Sequence, residues 1–596
     1  TGWAAQPTPD ESAVDVGLDA GLNPMAPEAL QNVPAGTALF VTFATGSVVD
    51  MVWNWVEHVR HAGVEKFFIG ALDQQMLDYC LSKGFPSMLL TGSTVLQSRG
   101  ESFIRQGDAS FKKMGAVKAN FVKDLLELGI HPILSDADVV WLRDPREYFL
   151  TGSLAEADIL VSSDCIDMPA DERDRGGCSH VNYNTGVLHF RATQRSKDFV
   201  DRWKTKVRTS EEKWMRDQPA FNLLMREGEP HLPMEGLKES DRRVMWGNQR
   251  QIKFGVLPTW LFTSGHTYFV QHAYKYHTEQ PFTIHMTYQY GDASAYAYGK
   301  RQRLRQHGLW LSDTDEYYTE GKFLVISDAA SHKYDPQEPG QDWRLAIEKH
   351  LGEDNFRRPL VRNLLALARA LGRIPIMPKA FCYCDKIWNS LEACRAPGAE
   401  AMHLPYECPM DHIYSIDIWF AAGVDFREEG FLDNARVPDA VRRSRELVGW
   451  GAGTGGERVL LPEGGLSDVE LRSRLEPVAD ARVLELTSLP DGAFCGFADA
   501  GATSDFDLLT RRIFDHRQYF CSNELWKEMG RPMSDPWEPQ VVKRHCGYME
   551  DAYIALGRVH RGTIEHTLKN KTSFDCSCEW GYALPTPLES HACAAV

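Results

Sequence analysis

The chain has no uninterrupted apolar run of about 18 residues, the length that a membrane-spanning helix needs. Basic side chains are also few for 596 residues, with 65 Lys and Arg against 82 Asp and Glu and a formal net charge of −17. Because affinity for a phosphate backbone depends on clustered Lys and Arg, this balance argues against a nucleic-acid-binding protein. Hydrophobic residues at 43% and charged residues at 25% are ordinary globular values, which exclude collagen-like and disordered classes.

The amino terminus lacks the basic-then-apolar pattern of a secretory signal. Because the sequence opens on Thr1, we expect any membrane anchor to precede it. Residues 1–36 are rich in Pro, Ala, Asp and Gly, which predicts a stem or linker. The remaining length exceeds one core of about 250 to 300 residues. It predicts domains at 37–330 and 343–596, joined by a polar, proline-containing linker at 331–342.

Cysteine is scarce in the first predicted domain, and ten of the 13 cysteines lie beyond residue 380. Such clustering indicates an oxidising compartment and a second domain crosslinked by disulfides, with at least one thiol free if the others pair within the chain. The C-x2-C pair of structural zinc sites is missing around Cys382, Cys384, Cys394 and Cys408, so disulfides are favoured over a metal there. A sequon at Asn570 is compatible with a secretory route.

Short apolar runs alternate with helical segments from residue 38 onward, which predicts an α/β fold with a parallel sheet. In open sheets of this kind, ligands bind at the carboxyl ends of the strands. The loops after Ala44 and Leu72 are therefore candidates for a nucleotide site. Strands are predicted at 38–44, 66–72, 87–90, 130–134, 159–162, 187–190, 374–377, 413–420 and 482–486, and helices at 48–62, 74–83, 110–128 and 356–371.

A D-x-D tripeptide occurs three times, but only Asp136 and Asp138 stand between two apolar strands. Carboxylates at positions i and i+2 of a tight turn are suited to Mn²⁺ or Mg²⁺, which also takes oxygens from a diphosphate. Two like charges partly buried without a cation would repel each other. We therefore favour a metal site here over a capped, solvated turn, and expect the other two copies to be solvated turns.

His285 ends the apolar strand at 281–284, and we expect it to complete the metal site. A basic run follows, comprising Lys300, Arg301, Arg303 and Arg305. In an acidic protein this run is a natural partner for a diphosphate, through charge-assisted hydrogen bonds. A solvated helix face is the alternative interpretation.

Three further segments place polar residues among apolar ones. Asn184 lies just before the predicted strand at 187–190, and residues 264–269 combine aromatic and polar side chains, as a sugar-binding wall does. Asp217 and Gln218 open a helix, where an acidic residue also serves as a favourable amino-terminal charge.

These segments resemble glycosyltransferase family 77 when they are taken in order. The resemblance is strongest to its plant and algal members that extend arabinose chains on hydroxyproline-rich cell-wall glycoproteins. It covers more than 400 residues from about residue 36 onward. The matching strings are LSDADVVWLRDP (134–145), NYNTGVLHFR (182–191), DQPAFN (217–222), SGHTYFVQ (264–271), HMTYQY (285–290), GKRQRLR (299–305), RNLLALARALGRIPIMP (362–378), CPMDHIYSIDIW (408–419) and FLDN (431–434).

The resemblance implies a GT-A, Rossmann-like nucleotide-sugar transferase domain, followed by a cysteine-rich α/β domain whose role is open. It implies retaining transfer of arabinofuranose from UDP-β-L-arabinofuranose, with Mn²⁺ or Mg²⁺, to oligoarabinosyl chains on a hydroxyproline-rich glycoprotein. The expected place is the Golgi lumen, with a type II membrane anchor that lies outside this sequence. The chain departs from many relatives at Thr45 and Gly46, where they have Asn, and in a longer spacing between His285 and Lys300.

The resemblance also assigns roles by position. Asp136, Asp138 and His285 would be the metal ligands, and Asp217 and Gln218 would lie at the reacting sugar. The residues expected to contact the donor nucleotide-sugar are Thr42, Phe43, Ala44, Asp73, Lys118, Asp136, Asn184, Lys300 and Arg303.

Several alternatives stay open from the sequence. The same fold could use UDP-xylose or UDP-galactose, or the chain could be an inactive glycan-binding or scaffold protein. A metal-dependent phosphohydrolase is disfavoured because no second cluster of metal ligands accompanies the D-x-D turn. Retention allows either a covalent intermediate on Asp217 or attack by the acceptor on the leaving-group face, and we favour the latter.

Overall fold

The structure is a computed structural model. It describes residues 30, 32–90, 109–174, 176–212, 214–228, 232–233, 243–291, 297–340, 342–386, 391, 393–414 and 416–514. Most of the predicted stem at 1–36 lies outside these residues, as do Asn570 and every cysteine after Cys495. The chain divides into two compact units, the first within Thr1–Ser264, Ala273–Met286 and Ser294–Tyr296, and the second within Gly265–His272, Thr287–Ala293 and Ala297–Val596.

The strands in chain order are β1 Ala38–Ala44, β2 Phe67–Ala71, β3 Ser87–Leu89, β4 His131–Ser135, β5 Val139–Trp141, β6 Ile159–Ser163, β7 Tyr183–Phe190, β8 Leu232–Pro233, β9 Val244–Gly247, β10 Ile252–Val256, β11 Phe262–Ser264, β12 Thr283–His285, β13 Phe323–Ile326, β14 Ile374–Pro375, β15 Phe381–Cys382, β16 Tyr406–Glu407, β17 Arg445–Trp450, β18 Val459–Leu461, β19 Leu466–Ser467, β20 Val483–Leu486 and β21 Phe494–Gly496.

The α-helices in chain order are α1 Val49–His61, α2 Gln74–Ser82, α3 Ala109–Glu127, α4 Arg146–Phe149, α5 Met168–Arg173, α6 Gln194–Thr209, α7 Asp217–Met225, α8 Gly265–Phe269, α9 Ala273–Tyr276, α10 Tyr298–Gln306, α11 Asp315–Thr319, α12 Trp343–Leu371, α13 Met410–Ile413, α14 Ile416–Ala421, α15 Asp439–Arg443, α16 Asp468–Arg474 and α17 Ala500–Phe514.

A nine-stranded sheet forms the centre of the first unit, in the order β3-β2-β1-β4-β7-β6-β10-β9-β8. The strands β3, β2, β1 and β4 are parallel, as expected, whereas β7 runs antiparallel to both β4 and β6. The reversal arises because β6 and β7 are joined by a loop that the disulfide Cys165–Cys178 closes, rather than by a crossover helix across the sheet. The carboxyl ends of β1, β4 and β6 and the amino end of β7 therefore meet at one edge.

Both faces of this sheet are covered, which explains why β1 reads as a continuous apolar run. Val41 belongs to a core cluster that includes Phe121 of α3 and Trp203 of α6. Its neighbour Phe40 points to the opposite face and belongs to a second cluster with Trp55 of α1. A small sheet in the order β11-β12-β5 completes the described strands of this unit.

The second unit contains a fully parallel sheet in the order β14-β13-β20-β17-β18. Because β13 belongs to this sheet, the second unit already includes residues that precede the predicted linker at 331–342. The predicted strand at 413–420 is wrong, since this segment contains the end of α13 and most of α14. Ile413, Ile416 and Trp419 recur every three residues and are all buried, which is a helical rather than a strand period.

Three disulfides are present among the described residues: Cys165–Cys178, Cys382–Cys408 and Cys384–Cys394. They confirm the preference for disulfides over a zinc site. Cys80 is a free thiol in the first unit, and burial raises its pKa to about 11. No helix within the described ranges is long and apolar enough to cross a membrane.

In the second unit, replacing a buried core residue should lower the free energy of unfolding much more than replacing an exposed one. Phe431 is fully buried, with its ring centroid 4.8 Å from that of Phe323 and 6.0 Å from that of Tyr318. Replacement Phe431→Ala should lower the free energy of unfolding by about 3 to 5 kcal/mol, through lost burial and the cavity left behind. Urea unfolding measures this loss. The control Leu508→Ala, at a side chain 69% exposed, should change it by less than about 0.5 kcal/mol, and equal losses in the two variants would contradict the described core.

Candidate active site

Asp136 and Asp138 lie directly after β4, at the edge where the strand ends meet. The backbone N–H of Asp136 donates to the carbonyl of Gly186 at 3.0 Å, and the carbonyl of Asp136 accepts from the N–H of Val139 at 3.1 Å. Just before the turn, the hydroxyl of Ser135 accepts hydrogen bonds from two buried indoles. These bonds fix a tight turn that presents both carboxylates at the sheet edge.

His285 is brought to this turn by the small sheet. It is the last residue of β12 and stands opposite Val139 of β5, and the N–H of Met286 donates to the carbonyl of Asp138 at 3.2 Å. Its Nε2 lies 3.5 Å from Asp138 Oδ1 and 3.9 Å from Asp136 Oδ2. One ligand atom from each of the three side chains falls within 4.8 Å of the others.

These three residues fit a divalent cation. Two carboxylates are ligands that Mg²⁺ and Mn²⁺ prefer, and an imidazole adds a neutral nitrogen. A Cβ on Gly186 would lie 2.1 Å from His285 Cε1, so the imidazole occupies space that only glycine leaves open. In the part of the chain that the structure describes, no other group of three such side chains is close enough to bind a metal.

Lys118 of α3 connects this turn to a second carboxylate. Its side chain is 2% exposed, and Nζ donates to Asp136 Oδ1 at 2.9 Å and to the Thr185 carbonyl at 2.8 Å, and lies 3.2 Å from Asp217 Oδ2. Burial alone would lower the pKa of Lys118, but Asp136 and Asp217 outweigh it and hold the pKa above its ordinary value. Lys118 is therefore a permanent cation between two acidic residues.

An irregularity in β7 builds the opposite wall. Val161 of β6 pairs with Leu188, whereas the next residue, Ser162, pairs with Asn184, so β7 has three extra residues between them. The hydroxyl of Ser162 bridges this bulge by donating to the carbonyls of Asn184 and Val187. The bulge directs the Asn184 and Thr185 side chains into the site and brings Gly186 against His285.

Asp217 and Gln218, at the start of α7, contact this bulge. Asp217 Oδ2 accepts from the hydroxyl of Thr185 at 2.9 Å, and Gln218 Oε1 accepts from the backbone N–H of Thr185 at 3.3 Å. Burial would raise the pKa of Asp217, but Lys118 and Thr185 hold it below its ordinary value. Lys118 thus links Asp217 to Asp136, and the position of Asp217 and Gln218 at the reacting sugar stays a prediction.

Asp164 is a member of this network that the sequence analysis missed. It accepts from Asn184 Nδ2 at 2.6 Å and from Gln218 Nε2 at 2.8 Å, and so fixes both amides. Burial raises the pKa of Asp164, although these two donors oppose the shift. The available signal was its position directly after the apolar strand β6, which parallels the position of Asp136 after β4.

The remaining residues expected at the donor lie on the same edge or within β1. Thr42, Phe43 and Ala44 form the end of β1 and are buried, and the Phe43 ring lies 5.5 Å from Lys118 Nζ. Asp73 accepts from the N–H of Gly46 and caps α2 through the N–H of Met76. The Asp73 carboxylate therefore shapes the loop after β1, and contacts of these residues with a nucleotide stay predictions.

The basic run lies on α10, in the second unit. It does not form a solvated helix face, because two of its arginines are paired with aspartates. Arg303 is fully buried and donates to both carboxylate oxygens of Asp411, at 2.8 and 2.7 Å. Arg305 forms a similar pair with Asp313. The Asp411 pair argues against diphosphate binding by Arg303, whereas the half-buried Lys300 stays a predicted donor contact.

The fit between Gly186 and His285 gives a direct test of the cluster. In Gly186→Ala the new methyl group displaces the imidazole, so Mn²⁺ affinity measured by titration calorimetry should fall at least about tenfold, as for loss of a group that orients the ligands. Circular dichroism should remain unchanged. The double variant Gly186→Ala/His285→Ala should bind no more weakly than His285→Ala alone. Undiminished affinity in Gly186→Ala would show that His285 is not a ligand.

Several known proteins are similar to this chain in sequence. A sequence model of the nucleotide-diphospho-sugar transferase family matches residues 62–304. The arabinosyltransferase XEG113 of Arabidopsis thaliana is 28% identical over 513 residues, which cover 82% of this chain and 74% of that protein. The arabinosyltransferase RRA2 of the same plant is 25% identical, over 34% of this chain and 48% of that protein. A UDP-D-xylose:L-fucose alpha-1,3-D-xylosyltransferase of Arabidopsis thaliana is 24% identical, over 48% of this chain and 72% of that protein.

Solved structures similar to the chain include the galactosyltransferase LgtC in complex with donor and acceptor sugar analogues. It is 10% identical, with a TM-score of 0.24, over 42% of this chain and 87% of LgtC. Mouse xyloside xylosyltransferase 1 is 12% identical, with a TM-score of 0.26, over 42% of this chain and 98% of the mouse protein.

The α/β fold of the GT-A kind and the resemblance to glycosyltransferase family 77 and its plant arabinosyltransferases are confirmed, and the protein is a glycosyltransferase.

Proposed function

We propose that the protein is a retaining, metal-dependent glycosyltransferase. It transfers arabinofuranose from UDP-β-L-arabinofuranose to oligoarabinosyl chains on hydroxyproline-rich cell-wall glycoproteins, in the Golgi lumen. The observation that carries the proposal is the cluster of Asp136, Asp138 and His285, joined through Lys118 to Asp217. The names of two similar proteins, both arabinosyltransferases, support the choice of sugar.

Asp136, Asp138 and His285 would hold the Mn²⁺ or Mg²⁺, which supplies positive charge for the diphosphate leaving group. Lys118 binds Asp136 through Oδ1, and Oδ2 is the oxygen of Asp136 nearer to His285. One side chain thus sets the orientation of a metal ligand and adds a second positive charge to the site. Lys300 is proposed as a further contact to the diphosphate.

Attack by the acceptor on the leaving-group face suits this geometry better than a covalent intermediate. A nucleophilic carboxylate needs an oxygen lone pair that can attack the anomeric carbon, but Asp217 Oδ2 already accepts from Lys118 and Thr185. Those contacts keep Asp217 ionised and lower its basicity. In the proposed step, the oxygen of the acceptor hydroxyl bonds to the anomeric carbon while the bond from that carbon to the phosphate oxygen of UDP breaks. The proton of the acceptor hydroxyl passes to the departing phosphate oxygen.

Gln218 has a positioning role in this scheme. Its amide is fixed between the Thr185 N–H and Asp164, while the side chain stays partly exposed at the site. A fixed amide dipole beside the anomeric carbon needs no reorganisation during the reaction. Asp164 extends this role because it determines which end of the Gln218 amide is the donor.

A different donor is the main competing function. One similar protein is named a xylosyltransferase, and another, 25% identical over 214 residues, is a UDP-galactose:fucoside alpha-3-galactosyltransferase of Dictyostelium discoideum. Xylose is a pentose of the same composition as arabinose, and galactose carries one further hydroxymethyl group, so both are close to arabinose in size. UDP-xylose and UDP-galactose are therefore the donors to compare.

The proposal predicts the outcome of a donor panel. With Mn²⁺ and an oligoarabinosyl hydroxyproline peptide, UDP should be released from UDP-β-L-arabinofuranose faster than from UDP-xylose or UDP-galactose. Nuclear magnetic resonance should show a product of retained anomeric configuration. Asp138→Asn, which preserves the shape of the side chain, should lower the rate at least about 100-fold because it removes a metal ligand.

Each result separates one part of the proposal. A faster rate with UDP-xylose or UDP-galactose would replace the donor and keep the chemistry. Full activity of Asp138→Asn would contradict metal dependence. UDP release from none of the donors would favour a glycan-binding or scaffold protein.

A further inference from the structure

Arg357 is a buried cation in the second unit. It lies in the middle of α12 and is only 4% exposed, and its Nη1 has no hydrogen-bond partner. Among the residues that the structure describes, no carboxylate forms an ion pair with it. Since an uncompensated buried charge strongly destabilises the folded state, buried guanidinium groups are normally paired with an anion.

Two further polar groups beside Arg357 also lack partners. Tyr414 is 7% exposed and its hydroxyl makes no hydrogen bond, and Nδ1 of His332 is likewise unsatisfied. Burial raises the pKa of Tyr414, and the charge of Arg357 opposes the shift while Asp354 and Glu429 reinforce it. Burial lowers the pKa of His332; Glu353 and Asp328 oppose this shift, and Arg357 reinforces it.

Contacts with α12 place both groups near Arg357. His332 precedes Lys333, whose N–H donates to Glu353 one turn before Arg357. The Tyr414 ring packs on Trp419, which contacts Phe514, and the carbonyl of Phe514 accepts from Arg358.

Neighbouring carboxylates are engaged elsewhere. Asp354 forms an ion pair with Arg358 at 2.9 Å, on the next turn of α12. Glu353 accepts from the backbone N–H groups of Lys333 and Tyr334. Neither carboxylate contacts Arg357 Nη1, which stays an unused donor.

The position in the fold is one where ligands bind. His332 follows β13, and Lys379, whose charge also acts on His332, follows β14. These strands are adjacent and parallel, so both residues lie beyond the carboxyl ends of the sheet. The chain passes from β13 through α12, which carries Arg357, to β14. In open parallel sheets, ligands bind outside the carboxyl ends of the strands.

We propose that Arg357, Tyr414 and His332 form an oxyanion-binding site in the second unit. The ligand is a carboxylate or a phosphate group, which the planar guanidinium contacts with two parallel N–H donors and Tyr414 with its hydroxyl. Such a group occurs on an acidic sugar of a glycan and as free or esterified phosphate. The site uses none of the residues assigned to metal or donor binding.

Thermal unfolding with added anions tests this site, with EDTA present to prevent metal-dependent binding. Inorganic phosphate or D-galacturonate should raise the melting temperature of the wild type until the rise reaches a plateau. The anion concentration that gives half of this rise should be at least about tenfold higher in Arg357→Met. It should be unchanged in Arg369→Met, which removes an exposed arginine from the same helix. A response to galacturonate alone identifies a carboxylate ligand, and a response to phosphate alone identifies a phosphate ligand.

Tyr414→Phe provides a second test if Arg357→Met fails to fold. It removes one hydroxyl from a buried ring, and the anion should bind about tenfold more weakly, the effect of losing one hydrogen bond to a charged group. The proposal is overturned if neither anion stabilises the wild type. It is also overturned if Tyr414→Phe, or a folded Arg357→Met, responds as strongly as the wild type.

Discussion

The candidate active site depends on the buried contacts of one lysine. Lys118 lies between Asp136, which follows β4, and Asp217, which begins α7, and it also binds the carbonyl of Thr185. Without this cation, two carboxylates would face each other in a poorly solvated space, and their repulsion would favour protonation or displacement of one of them. The lysine therefore connects the proposed metal ligands to the residues proposed at the sugar.

The rest of the site follows from the bulge in β7. A regular strand would continue the ladder with β6 through Thr185 and Gly186. The three extra residues instead allow Thr185 to contact Lys118, Asp217 and Gln218. Asp164 fixes the side-chain amides of Asn184 and Gln218. Gly186 completes the arrangement because the absence of a side chain lets His285 approach the D-x-D turn. Backbone irregularity and side-chain chemistry are inseparable here.

The sequence predicted the parts of the site that have a local signature. Asp136 and Asp138 stand between apolar strands, and His285 ends another, so position along the chain already suggested a shared edge. Asp164 was missed because its partners, Asn184 and Gln218, are 20 and 54 residues away in the chain. Arg303 was assigned to the diphosphate because nothing near it in the sequence indicates Asp411, which neutralises it from 108 residues away.

The fold shows the same limit. Some elements, such as β1 and α2, were predicted to within one or two residues, whereas the helix predicted at 356–371 begins earlier, at Trp343. The antiparallel direction of β7 and the inclusion of β13 in the second unit depend on pairing between distant segments. The failure at 413–420 has another cause, since a short apolar segment was assigned to the wrong period.

A double-mutant cycle on Lys118 and Asp217 tests the central claim most directly. Catalytic efficiency with the preferred donor would be measured for Lys118→Met, Asp217→Asn and the double variant. If the buried contact connects the two halves of the site, the losses are not additive and the coupling free energy is about 1 to 3 kcal/mol. Additive losses, with a coupling near zero, would contradict the account.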